Sequence, residues 1–151
     1  KFRLYIEPLL QMRGADGQYV EWTDIRLCRR IVRDARERNV KPNQSIEHWH
    51  YVRDAELRNI VQHSQTADAL VASGLAYEPA VMRVFLLDHF RQWEKDYANW
   101  PERADAFQRA TRIRALLESV RPASEAEIAS IPADTLIREF IGGSKYTGKK
   151  H

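Results

Sequence analysis

The alternation of apolar and polar positions divides the chain into a short strand at each end of a helical stretch, followed by helices. Phe2, Leu4 and Ile6 alternate with polar neighbours over Phe2 to Glu7, which predicts a strand. Asp16-Gly17 reads as a turn within a loop from Gly14 to Trp22. From Asp24 to about Arg38 the period changes to that of a helix, with Thr23 as its cap, Asp24 at the positive end of its dipole and Asn39 as its stop. Pro42 opens a helix carrying Ser45 to Val52, with a second one continuing to Ile60. Thr66 to Ser73 alternates again and predicts a second strand. Beyond Pro79, Val81, Val84, Phe85, Phe90 and Trp93 recur at helical spacing, as do Phe107, Ala110, Ile113, Leu116, Leu117 and Val120 beyond Pro101. These two stripes are expected to pack as a pair. Ser124 and Glu127 have the spacing of a capping box. A last helix through Leu136, Ile137 and Phe140 is capped by Asp134 and stopped by Gly142-Gly143. No segment repeats.

Composition narrows this picture only modestly. The 151 residues are 44% apolar and 30% charged with a net charge of +3, so an anion site must come from local clustering. No apolar run is long enough to span a bilayer. The single cysteine, Cys28, excludes an internal disulfide and reads as a small buried hydrophobe in a cytoplasmic protein.

One segment changes the reading. Arg26, Arg29, Arg30, Arg33, Arg36 and Arg38 crowd into thirteen residues. At about 100° per residue the first five fall within roughly a third of the helix circumference, while Arg38 points elsewhere. Ile25, Leu27, Cys28, Ile31, Val32 and Ala35 fill the opposite side. Guanidiniums on one face repel unless an anion or a carboxylate sits among them, and their fork matches phosphate oxygens. The pattern leaves two readings open: a phosphate-binding face, or a solvated face neutralised by Asp24, Asp34 and Glu37.

The run Asp24 to Trp49 resembles the lid of uridine–cytidine kinases and their bacterial relatives, where an R-R-x-x-R-D core (here Arg29 to Asp34) precedes an E-R turn (Glu37-Arg38) and a second helix. Thr135 to Ser144 resembles the terminal motif of long bacterial uridine-kinase-like proteins, whose kinase domain is related to phosphoribulokinase. Ala67 to Val81 is similar to a strand and following helix of the same group. The resemblance implies a mainly helical chain with two or three short strands, a fragment of an α/β P-loop kinase fold. Residues 1–78 would hold the lid at about 23–50, residues 79–144 a helical extension, and 145–151 a frayed tail.

Several roles follow from the resemblance. Arg30 and Arg33 would be catalytic, and Arg29, Arg30, Arg33 and Arg38 would bind phosphate. Asp34 would orient them, and His48 stands where the family has a glutamine near the nucleoside. Val40 replaces a family arginine. The implied activity is transfer of the ATP γ-phosphate to a nucleoside 5′-hydroxyl with Mg²⁺, with no cofactor held tightly by this chain alone. The lid would move as nucleotide binds.

A kinase of this class also needs a phosphate-cradling loop. Gly143 to Lys149 spells G-x-x-x-x-G-K, but Lys150 stands where Ser or Thr would meet the metal. The real loop is therefore expected in an upstream half of the same protein, and that half is the expected partner. Without it, Leu4, Ile6, Leu70 and the apolar side of the arginine helix would lose neighbours, and self-association would follow. His48 and His50 are two apart on a helix and diverge, so no metal site is expected. Two other classes stay in view: a scaffolding or regulatory domain derived from such a kinase, and an RNA-binding module using the arginine helix. The second is disfavoured by the 21 acidic residues, which spread over the chain.

Overall fold

In the computed structural model, residues 1–14, 17–38 and 40–146 are described. The expected stop at Asn39, Asp16 of the expected turn and residues 147–149 of the Gly143–Lys149 run lie outside them. The elements are β1 (Leu4–Glu7), α1 (Trp22–Glu37), α2 (Pro42–Glu47), α3 (Trp49–Asn59), a 3-10 turn (Val61–Thr66), β2 (Ala69–Ala72), α4 (Glu78–Tyr97), a second 3-10 turn (Pro101–Arg103), α5 (Ala104–Ser119), α6 (Glu125–Ser130) and α7 (Arg138–Ile141). The protein is mainly helical with two short strands.

The strands pair parallel, Leu4 with Ala69 through Glu7 with Ala72. Leu4, Ile6 and Val71 lie on one face of this pair and are 50%, 54% and 43% exposed. Glu7, on the other face, is buried. The 3-10 turn takes up Thr66, so β2 begins later than the alternation predicts.

The helix α1 starts at Trp22, two residues before the predicted start, with Glu21 in the cap position. Thr23 sits inside the first turn, and its hydroxyl is 3.3 Å from the Glu21 carboxylate. Ile25, Leu27, Cys28, Ile31 and Val32 are buried as the periodicity predicts, whereas Ala35 is exposed. Leu27, Cys28, Ile31 and Val32 join Ile46, Trp49, Met82, Phe90, Ile113 and Leu117 in one core cluster. The apolar side of α1 therefore keeps its neighbours, contrary to expectation. A helix giving four side chains to this core cannot swing as a lid without opening it. The 78/79 division runs through the same cluster.

Elsewhere the chain chemistry acts as read. Pro42 opens α2, and Glu78-Pro79 opens α4. The helix expected across Ser45 to Val52 breaks at His48. The helices α4 and α5 pack as the most extensive pair. The Ser124 hydroxyl accepts from the Glu127 N–H, and the Glu127 carboxylate accepts from the Ser124 N–H, closing the capping box. The final helix is shorter than predicted: Asp134 bonds Lys145 at 2.8 Å instead of capping, and Gly142 ends α7 at φ 104°. Among the described residues no helix is long and apolar enough to cross a membrane.

Candidate functional site

The arginines of α1 meet two different fates. Arg26 donates to Glu7 at 2.9 Å and bridges to Glu56 at 2.5 Å. Arg29 is buried and forks onto Glu78, Nε to Oε2 at 2.7 Å and Nη2 to Oε1 at 2.5 Å. It also donates to the Ser73 carbonyl at 2.7 Å and lies over the Phe140 ring. Glu78 is fully buried and accepts the Leu75 N–H as well. Arg29 is thus spent on a structural pair that ties α1 to the start of α4. Arg29 also lines the cavity described below, but its charge is already matched by Glu78 and it has little to offer a phosphate.

Beyond Arg29 the balance reverses. Arg30, Arg33 and Arg38 all turn to the one buried carboxylate of Asp34, at 3.2, 3.1 and 3.4 Å. Among the described residues, three positive heads around one negative head leave two charges uncompensated. Asp34 orients the guanidiniums through one oxygen or the other, and Arg30 and Arg33 keep about a third of their side-chain surface in solvent.

Arg30 and Arg33 border a cavity of about 260 Å³. Ile6, Pro8 and Ser73 bring to it the segments at the carboxyl ends of β1 and β2, Trp49 comes from α3, and Leu136 and Phe140 come from the terminal segment. The carboxyl ends of parallel strands are where open α/β sheets take ligands. Arg26, paired with the Glu56 carboxylate, and Arg29, paired with Glu78, complete the lining. The uncancelled charge on the wall therefore comes from Arg30 and Arg33 and suits an oxyanion attached to a compact organic body.

The structure brings Arg30 and Arg33 together here. Arg38 shares Asp34 with them but does not line the cavity. His48 is exposed at the junction of α2 and α3, its ring 6.2 Å from that of Tyr51. It does not reach the cavity, and its expected nucleoside contact is corrected on that ground: at the break between helices it faces outward, and the next residue, Trp49, faces in. Trp49, Ser73, Leu136 and Phe140 are the lining residues that periodicity could not select. Only the terminal-motif likeness hinted at Phe140.

Other candidates resolve as packing. Cys28 is fully buried, and burial pushes its thiol well above the ordinary range. His50 lies 3.2 Å from Asp105. Asp24 is gripped by Arg112 at 2.7 and 2.8 Å, yet burial outweighs that guanidinium and raises its pKa. Among the described residues no three His, Cys, Asp or Glu side chains gather in one place. The arginines, by contrast, fit the phosphates of a nucleotide.

No family model, curated protein or solved structure matches this chain.

Proposed function

We propose that the cavity grips phosphate, with Arg30 and Arg33 as the ligands and Asp34 as their positioning partner. The observation that carries this reading is the convergence of three guanidiniums on one buried carboxylate beside an open cavity. Such a surplus is stabilised by an incoming anion, and the guanidinium fork matches phosphate oxygens. With the motif resemblance, the grip belongs to a uridine-kinase-like phosphotransferase, in which an upstream P-loop half supplies the ATP and Mg²⁺ seats and the nucleoside 5′-hydroxyl is the acceptor. The chain would contribute charge neutralisation, the main demand of phosphoryl transfer.

A second reading draws support from the position of α1 in the core. A phosphate grip built on an element that cannot close suits a regulatory or scaffolding domain that senses a phosphorylated ligand without turnover.

Calorimetric titration with orthophosphate and with ATP–Mg²⁺ tests the common part of both readings. The natural chain should bind both, and Arg30→Ala/Arg33→Ala should weaken both at least about tenfold while the helical circular dichroism is retained. Equal binding by the double variant would remove the cavity from consideration.

A further inference from the structure

Arg36 is the one guanidinium on the arginine face that no carboxylate meets among the described residues. It lies three positions beyond Arg33 on the same face, about 9 Å along the axis from Arg30. Nor is it a loose surface side chain. Its Nη1 donates to the Phe140 carbonyl at 3.4 Å. Its guanidinium also occupies the space beside Gly142, where an added Cβ would come within 2.6 Å of Cζ and Nη1. Gly142 has φ 104° and Gly143 has φ 77°, backbone angles that side-chain-bearing residues rarely adopt. The glycine pair therefore does two things: it ends α7, and it leaves a slot that seats a cation. Arg36 and Gly142 do not line the cavity themselves; they stand beyond its edge, Gly142 on the segment whose Leu136 and Phe140 do line it.

We infer that Arg36 is a third ligand-binding guanidinium of the phosphate site, held in place by the Gly142 backbone, and that the site takes a condensed phosphate chain rather than a single phosphate. The inference rests on the phosphate reading above and extends it. Arg30 and Arg33 are anchored by Asp34, and Arg36 is anchored by a different segment of the chain. One tetrahedral phosphate satisfies the Asp34-held pair. A linear chain of phosphates continues along the helix past the cavity edge and meets Arg36, which no carboxylate neutralises among the described residues. The terminal segment thereby becomes part of the site through its backbone, by setting where Arg36 stands.

The test is a chain-length series by calorimetry: orthophosphate, pyrophosphate, tripolyphosphate, and metal-free ATP as the nucleoside-linked triphosphate. For the natural chain, affinity should rise at least about tenfold from orthophosphate to tripolyphosphate. Arg36→Ala should remove that rise for both tripolyphosphate and ATP, leaving orthophosphate affinity within about twofold. Gly142→Ala should reproduce this loss with Arg36 still present, because the new methyl takes the guanidinium's place. A rise that survives Arg36→Ala overturns the inference, as does an equal weakening of orthophosphate and tripolyphosphate. So does orthophosphate binding with no dependence on chain length, which would leave the simpler phosphate reading standing. Absence of orthophosphate binding would instead remove that reading and this one together. Arg36 is exposed, so its variant keeps the result interpretable even if Gly142→Ala disturbs the terminal turn.

Discussion

The two halves of α1 carry the same residue type at the same helical spacing, yet they do different work. In the first half, Arg26 and Arg29 each meet glutamates from distant elements, and charge is cancelled pair by pair. In the second, Arg30, Arg33 and Arg38 share one aspartate from their own helix, and Arg36 meets backbone rather than a carboxylate among the described residues. An arginine-rich face is therefore no binding site as such. What distinguishes the halves is the supply of carboxylates from the rest of the fold, and only the undersupplied half has charge to offer a ligand.

The sharpest way to break this comparison is to unbalance the saturated half. Glu78→Ala leaves Arg29 charged, buried and unpaired, and should cost about 3–5 kcal/mol in urea unfolding. Phosphate should restore little of it, because Arg29 is buried and an anion in the cavity cannot replace the two-point fork and the Leu75 N–H bond that Glu78 makes. A loss below about 1 kcal/mol would mean that solvent already reaches Arg29 and that the halves differ less than drawn. The matching change in the second half is Asp34→Asn, which removes the carboxylate that three guanidiniums share among the described residues. Here a loss of about 1–3 kcal/mol is expected, and most of it should return on adding pyrophosphate. Failure of pyrophosphate to restore stability would show that Asp34 acts only through packing.

A third arginine–carboxylate arrangement sharpens the contrast from outside the helix. Arg121 pairs with Glu127 in water, where that guanidinium and the capping-box bonds from Ser124 hold the carboxyl down to about 2. The folded value is below the ordinary 4.5, so the stabilisation is present above that value and is lost as pH falls through about 2. An NMR titration should find Glu127 still ionised at pH 3. A midpoint near 4.5 would show that the box is not closed in solution.

The arginine face and the apolar side of α1 were legible in the sequence, because both are periodic within one helix. So were the capping box and the glycine stop, each of which is settled by neighbours three or four residues apart. The partners of the arginines were not. Glu78 is 49 positions from Arg29, and nothing local marks it as the residue that would neutralise it. The misreading of Arg29 as a ligand follows directly from that distance. His48 and Trp49 show a different limit: a helix break one residue wide decides which of them faces the cavity, and periodicity does not fix boundaries that finely. The bond from Arg36 to the Phe140 carbonyl spans 104 positions, and nothing in the sequence reading foresaw it.

Those spans bear on how the chain folds. The contacts between α4 and α5 join neighbours in sequence, and such local pairs form early. The cavity is made of corners from near residues 6, 30, 49, 73 and 140, and the parallel pairing of β1 with β2 needs a crossover of more than sixty residues. The entropy of closing those loops is met before any of these contacts repays it. The cavity is thus expected among the last parts of the molecule to assemble, with low φ-values at Leu4 and Phe140 as its kinetic signature.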